Sequence, residues 1–191
     1  REVALAQVLE AGLMPHFRAR PFNNAANPAI VPRDIFVTGF DSAPLAPDEA
    51  LFITGNEATL QAGLDVCSRL TNGKVHLCLN GARTDLPKAL TDARNVLTHR
   101  FSGPHPAGTA GVQIHHIAPI RRRTDVVWTI DLAGVIAIGK VFLLGKGDGL
   151  QLVKVAGSAA KTRRYYKALT GTRISSLLDG QTPDGDIRCI S

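Results

Sequence analysis

The chain has 191 residues, 45% of them hydrophobic, 20% charged and 5% aromatic, with a net charge of +6 and a pI near 9.6. That length and composition support a folded core, and no apolar run approaches the ~20 residues that cross a bilayer as a helix. The basic balance admits anionic partners, but few aromatics, no RNP-like stretch and no helix-turn-helix pattern argue against nucleic acid.

Residues 1–20 carry a helical pattern, with Val3, Ala4, Leu5, Val8 and Leu9 at helical spacing and Gly12 as a stop. Residues 21–33 read as an exposed loop rich in Asn and Pro. Ile35 to Phe40 is an apolar strand, Pro44 and Pro47 bound a loop, and Leu51 to Ile53 reads as a second short strand. Glu57 to Leu70 predicts an amphipathic helix, with Asn56 as its cap and Asn72-Gly73 as its end. A strand over Val75–Leu79, a short helix over Leu86–Arg94 and a strand over Val96–Phe101 follow.

Gly111 to Ile117 reads as a strand closed by Pro119 and followed by Arg121, Arg122 and Arg123. Val126 to Ile130 is a further strand. Asp131 is placed to cap a helix over Leu132–Leu144, which Gly145 stops. Alternating strands and helices define an open, mostly parallel α/β sheet with helices on both faces. Gly145 to Gly149 reads as a joint, giving domains over 1–148 and 149–191. Beyond the joint, strands over Gln151–Ala156 and Arg163–Ala168, a helix over Thr172–Asp179 with Ile174, Leu177 and Leu178 inward, and a strand over Asp186–Ile190 suggest the first part of a β-grasp α+β module.

Cys67, Cys78 and Cys189 are odd in number and lack C-x-x-C spacing, which argues against a disulfide framework or an iron–sulfur site. A reducing, cytoplasmic setting follows. His115 and His116, taken as strand neighbours, point to opposite sides and cannot share one ion, so no metal site is expected. The turn after Ile35–Phe40 reads Asp41-Ser42-Ala43-Pro44 and lacks the glycines that bring phosphates to a helix N-terminus. No G-x-S-x-G elbow is present, so no catalytic residue is assigned.

One segment stands out by composition: Phe101-Ser102-Gly103-Pro104-His105-Pro106-Ala107-Gly108. Prolines flank one histidine, and glycines bracket the set, so a rigid turn presents a single imidazole. This turn and the later Ile114-His115-His116, Val127-Trp128-Thr129-Ile130 and Val135-Ile136-Ala137-Ile138-Gly139-Lys140 resemble the family of the A subunit of the bacterial sodium-translocating NADH:quinone oxidoreductase. Arg20-Pro21-Phe22 and Ile35-Phe36-Val37-Thr38 fit the same family, so the resemblance covers essentially the whole chain.

The resemblance implies a Rossmann-like domain related to the flavin subunit of respiratory complex I, followed by a partial β-grasp domain. It implies a peripheral subunit on the cytoplasmic side of the bacterial inner membrane. The six-subunit complex oxidises NADH, reduces ubiquinone and exports sodium. Flavins and iron–sulfur centres are expected in partner subunits and no cofactor in this chain, because Ala11 to Phe17 carries one glycine where flavin-binding relatives have a glycine-rich loop. The domain is expected to serve assembly or quinone access, inactive by itself. Gly103, His105, Pro106, Gly108, His115 and His116 are the quinone or interface candidates, and Arg121, Arg122 and Arg123 the docking candidates. A reading from another class, a standalone flavin- or quinone-binding oxidoreductase module, stays open at this point. With no opening methionine, no leader and an apparent strand running to the end, the sequence also reads as an internal piece of a longer polypeptide.

Overall fold

The computed structural model describes residues 1–183 and 185–190. The chain divides into two compact units, Arg1–Gly147 and Asp148–Ser191. In the first, β1 (Arg18–Arg20), β2 (Asn24–Ala25), β3 (Asp34–Thr38), β4 (Val75–Asn80), β5 (Leu97–Phe101) and β6 (Val127–Asp131) form one sheet in the order β2-β1-β6-β3-β4-β5. Strands β6, β3, β4 and β5 run parallel, whereas β1 joins β6 and β2 antiparallel. Ile35, Phe36 and Val37 are wholly buried, as a central parallel strand covered on both faces requires. The outer strand β5 is half-exposed along its length and carries His99 and Arg100.

Three longer helices, α1 (Glu2–Glu10), α3 (Glu57–Leu70) and α6 (Leu132–Leu144), cover one face, with short α2 (Glu49–Ile53) and α4 (Lys88–Thr91) beside them. In α3 the buried Leu60, Leu64, Cys67 and Leu70 recur at helical spacing. In α6 the Asp131 side chain accepts a hydrogen bond from the Gly134 N–H at 2.7 Å, and Gly145 at φ +69° ends the helix. The two helices touch backbone to backbone. A side chain at Gly139 would strike the Thr59 carbonyl, and one at Gly63 would strike the Val135 carbonyl. Into this face the sheet sends Ile35, Val37, Leu77, Leu79, Trp128 and Ile130, with the Phe17 and Trp128 rings 5.4 Å apart.

The other face lies under a single helix, α5 (Ala110–Ile117), which crosses from β5 to β6. Its apolar cluster is small: Phe36, Cys78, Ile114 and Val127, edged by Phe101, Ile117, Ala118 and Ile120.

Four local expectations are corrected. Residues 1–20 do not stay helical, because the chain turns at Met14–His16 and Arg18–Arg20 becomes β1, held by a partner over 100 residues away. Leu51 to Ile53 is helical, since the Asp48 carboxylate accepts the Ala50 N–H at 3.0 Å and caps α2. Gly111 to Ile117 is α5, so His115 and His116 are consecutive helical residues and both exposed. Asn56 precedes α3 but makes no side-chain cap bond.

In the second unit, β7 (Leu150–Val155) pairs antiparallel with β8 (Arg164–Leu169), and α7 (Ile174–Leu178) follows. The helix buries no residue and Ile174 is 55% exposed, against the expected inward placement. The expected strand over 186–190 does not form. A strand needs a ladder partner, and the sheet here is β7 and β8 alone, leaving Ile190 82% exposed.

Candidate functional site

The sheet order creates a switch point. From β3 the chain moves outward to β4 and β5, then returns through α5 to β6 on the other side of β3. Open α/β sheets bind ligands in the crevice outside the carboxyl ends of strands diverging in this way. Here that edge is built from the loop after β3, the turn after β5 and the start of α6.

The turn over residues 102–109 is folded on itself and docked on the β3 loop. The Ala107 N–H donates to the Pro104 carbonyl at 2.9 Å, and the Thr109 N–H to the Pro106 carbonyl at 2.8 Å. Ser42 Oγ accepts the Gly108 N–H at 2.8 Å and lies 3.1 Å from His105 Nδ1. Gly108 is buried with no room for a side chain: a Cβ there would strike the Ser42 backbone nitrogen. The Gln113 amide, fully buried, donates back to the Gly108 carbonyl at 3.2 Å. The loop from β3 is braced too, with the Ala43 N–H on Asp41 at 2.8 Å and the Asp41 N–H on Glu49 at 3.2 Å. Burial raises the Glu49 carboxyl above its ordinary value. Arg83 joins Asp48 at 2.6 Å and Asp85 at 2.9 Å, and these bonds hold its guanidinium charge firmly.

His105, Pro104 and Pro106 are exposed around this anchor. A serine–histidine contact alone is not a nucleophile with a base. The Ser42 hydroxyl is committed to two bonds, and the partner of the imidazole is that hydroxyl rather than a carboxylate. The geometry suits a shaped surface element.

The remaining predicted residues lie elsewhere. His115 and His116 sit at the far end of α5, their rings 5.3 Å apart, with His116 6.4 Å from Phe101. An eight-residue helix is about 12 Å long, so the structure does not bring them to His105. Arg121, Arg122 and Arg123 stand exposed at the opposite edge of the sheet. The Arg121 and Arg122 N–H groups donate to Asp125 at 3.2 and 3.3 Å and hold its carboxyl below the usual range.

Sequence reasoning missed Ser42, the partner of His105, and a buried polar network. His76, 5% exposed, stacks on Phe36 at 4.5 Å, and its Nδ1 lies 3.0 Å from His99 Nε2. Its Nε2 is 3.7 Å from Asp34, which Arg33 engages at 2.7 Å. Arg33 also donates to the carbonyls of Ala118 at 2.5 Å and Pro119 at 3.3 Å. Burial lowers both imidazoles below their ordinary value, and for His76 it outweighs the pull of Asp34. The signal was present in Val75-His76-Leu77-Cys78-Leu79, where one polar residue interrupts an apolar strand. Among the described residues, no three His, Cys, Asp or Glu side chains converge as metal ligands would. Burial pushes the Cys67 and Cys78 thiols up to about 12, so both are inert core residues.

A mostly parallel six-stranded sheet flanked by helices, with a switch point between β6 and β3, defines an open α/β domain. Residues 1–147 match the family described as the NqrA second alpha/beta domain. The chain belongs to that family. It is 38% identical to the A subunit of the Na(+)-translocating NADH-quinone reductase of Vibrio campbellii, 37% to that of Alcanivorax borkumensis and 36% to that of Hahella chejuensis. Each similarity takes in 100% of this chain and 42% of the relative, so the chain spans about two fifths of their length. Among solved structures, the NAD+-reducing NiFe-hydrogenase in its air-oxidized state superposes with a TM-score of 0.64 at 18% identity, over 96% of this chain and 39% of that one. At that identity the likeness concerns the fold alone. No described helix is long and apolar enough to cross a membrane.

Proposed function

We propose that this chain is a peripheral, cytoplasmic-side part of a sodium-translocating NADH:ubiquinone reductase, serving assembly or quinone access rather than hydride transfer. In this reading the first unit is a Rossmann-like domain without a flavin loop, and the second begins a β-grasp domain whose other strands lie in the rest of the protein. Flavins and iron–sulfur centres sit in partner subunits of the six-subunit complex, which exports sodium as it passes electrons from NADH to ubiquinone.

One observation carries the reading. At the crevice where such a sheet receives a nucleotide, the turn after β5 is docked on the loop after β3, with Gly108 against the Ser42 backbone and His105 on the Ser42 hydroxyl. A flavin phosphate needs open backbone N–H groups at that place, and the Gly108 N–H is already bonded to Ser42. Both contacts support a chain that carries no flavin of its own.

Titration of the chain with FMN and with NADH tests this. Neither gives saturable binding on the proposal, and one equivalent of bound yellow chromophore would sink it. Photoreactive ubiquinone applied to the whole complex separates the two roles. Loss of labelling in His105→Ala with unchanged complex yield assigns quinone access. Unchanged labelling with reduced yield assigns assembly.

A further inference from the structure

The parallel strands all enter the sheet along one edge, and the segments feeding them share a character. The turn after β1 carries Phe22, 78% exposed, beside the start of β6, because Arg20 pairs with Val127. The segment entering β3 carries Ile30 and Val31, 41% and 37% exposed. Between them runs the segment entering β6, with exposed Arg121, Arg122 and Arg123. Neighbouring strands lie about 4.8 Å apart, so these three entries fall within roughly 10 Å.

Arg33 clamps the arginine-bearing segment through the Ala118 and Pro119 carbonyls and through Asp125 at 3.3 Å, so the run is presented on a fixed base. Further cations border the edge. Arg1 donates to the carbonyls of Pro28 and Ile30, both at 3.1 Å, Arg69 lies in the last turn of α3, and Lys74 and Arg94 precede β4 and β5. A cleft of about 340 Å³, lined by Ser68, Lys74, Asn95 and Leu97 among others, opens on the same edge. Among the described residues, the carboxylates exposed there are Glu2 and Asp92. The opposite edge is the more acidic: Asp41, Asp48, Glu49, Asp85 and Asp131 follow the strands and Glu57 opens α3, against Arg83, which bridges Asp48 and Asp85, and Lys88.

We propose that the strand-entry edge docks on an anionic phospholipid surface. The arginines and Lys74 meet headgroup phosphates, and Phe22, Ile30 and Val31 enter the boundary between headgroups and acyl chains. Separate apolar side chains standing out from cationic loops suit a fluid interface, where each finds its own depth. A folded partner protein is met through an interface core packed as closely as a protein interior. The acidic edge is turned away by the same surface potential that attracts the basic one. The inference rests on the reading of a peripheral part of a membrane complex and names the surface it uses.

Vesicle flotation tests it, with phosphatidylcholine alone and with ~30% phosphatidylglycerol added to supply the negative surface potential. The chain floats with the anionic vesicles, stays behind with the neutral ones, and is released by high salt. The triple variant R121E/R122E/R123E lowers partitioning ~100-fold, each residue counting for about fivefold or more. Phe22→Ser lowers it several-fold with an unchanged thermal melt. Lys88→Glu, at the acidic edge, leaves it as it was. Equal flotation of the triple variant, equal binding to neutral vesicles, or no flotation of the unaltered chain overturns the docking. Flotation as expected, from a chain that fails to co-purify with reductase subunits, overturns the functional reading and leaves the docking intact.

Discussion

The two faces of the six-stranded sheet are built on opposite terms. One receives α1, α3 and α6 and buries an almost wholly apolar set, closed by helices that meet at glycine. The other receives one eight-residue helix and keeps Asp34, His76, Thr129 and Gln113 buried among four core apolar residues. Stability on the first face is a matter of shape. On the second it depends on the protonation of side chains, because buried His76 and half-buried His99 lie 3.0 Å apart nitrogen to nitrogen, a contact that needs one imidazole to donate and the other to accept.

Substitutions at glycine break the comparison most sharply. Gly139→Val forces a branched side chain onto the Thr59 carbonyl and drives α3 from α6, with an expected loss of about 3 kcal/mol or more, read from urea midpoints. At the crevice, Gly108→Ala meets the Ser42 backbone, and a loss of ~2 kcal/mol is expected, with faster amide exchange in the 102–109 turn.

Acid sharpens the comparison next. The native His76 and His99 titrate below the ordinary histidine value, so the unfolded chain binds more protons between the two. Stability is therefore full above about pH 6.5 and falls as the pH drops through the lowered native values. Urea midpoints measured at descending pH should decline in the native chain. His76→Phe, which removes the pair, should flatten that slope; a slope unchanged by the variant would place its origin in other groups. The smallest effect is at Gly111 on α5, where a Cβ meets nothing. Gly111→Ala should raise stability by ~0.5–1 kcal/mol, in contrast to Gly139.

The apolar face was largely legible in the sequence and the other was not. The helices over Glu57–Leu70 and Leu132–Leu144 were expected at the bounds they adopt, because helical periodicity is a local property and Asp131 and Gly145 mark the ends of the second. The strand β1 was hidden, since three residues, two of them arginine, are held as a strand by the two-residue β2 and by β6, over 100 residues away. Leu51 to Ile53 is too short to display a period, so the Asp48 cap decided its form. His115 and His116 misled for a similar reason, as Gly111 to Ile117 fits either period until its contact with β3 is known. The turn at Gly103–Gly108 was recognisable from composition, but its partner Ser42 is more than 60 residues away.

The position of β6 between β1 and β3 has a consequence for how the chain is made. The Thr129 hydroxyl reaches the Arg18 carbonyl across 111 residues of sequence. During synthesis, β3, β4 and β5 can assemble in the order in which they emerge, while β1 has only the two-residue β2 to pair with and no link to the parallel strands. Only when residue 131 has left the ribosome does the keystone arrive and β1 find its place. Until then, the first strand to be born waits beside the sheet it will be the last to join.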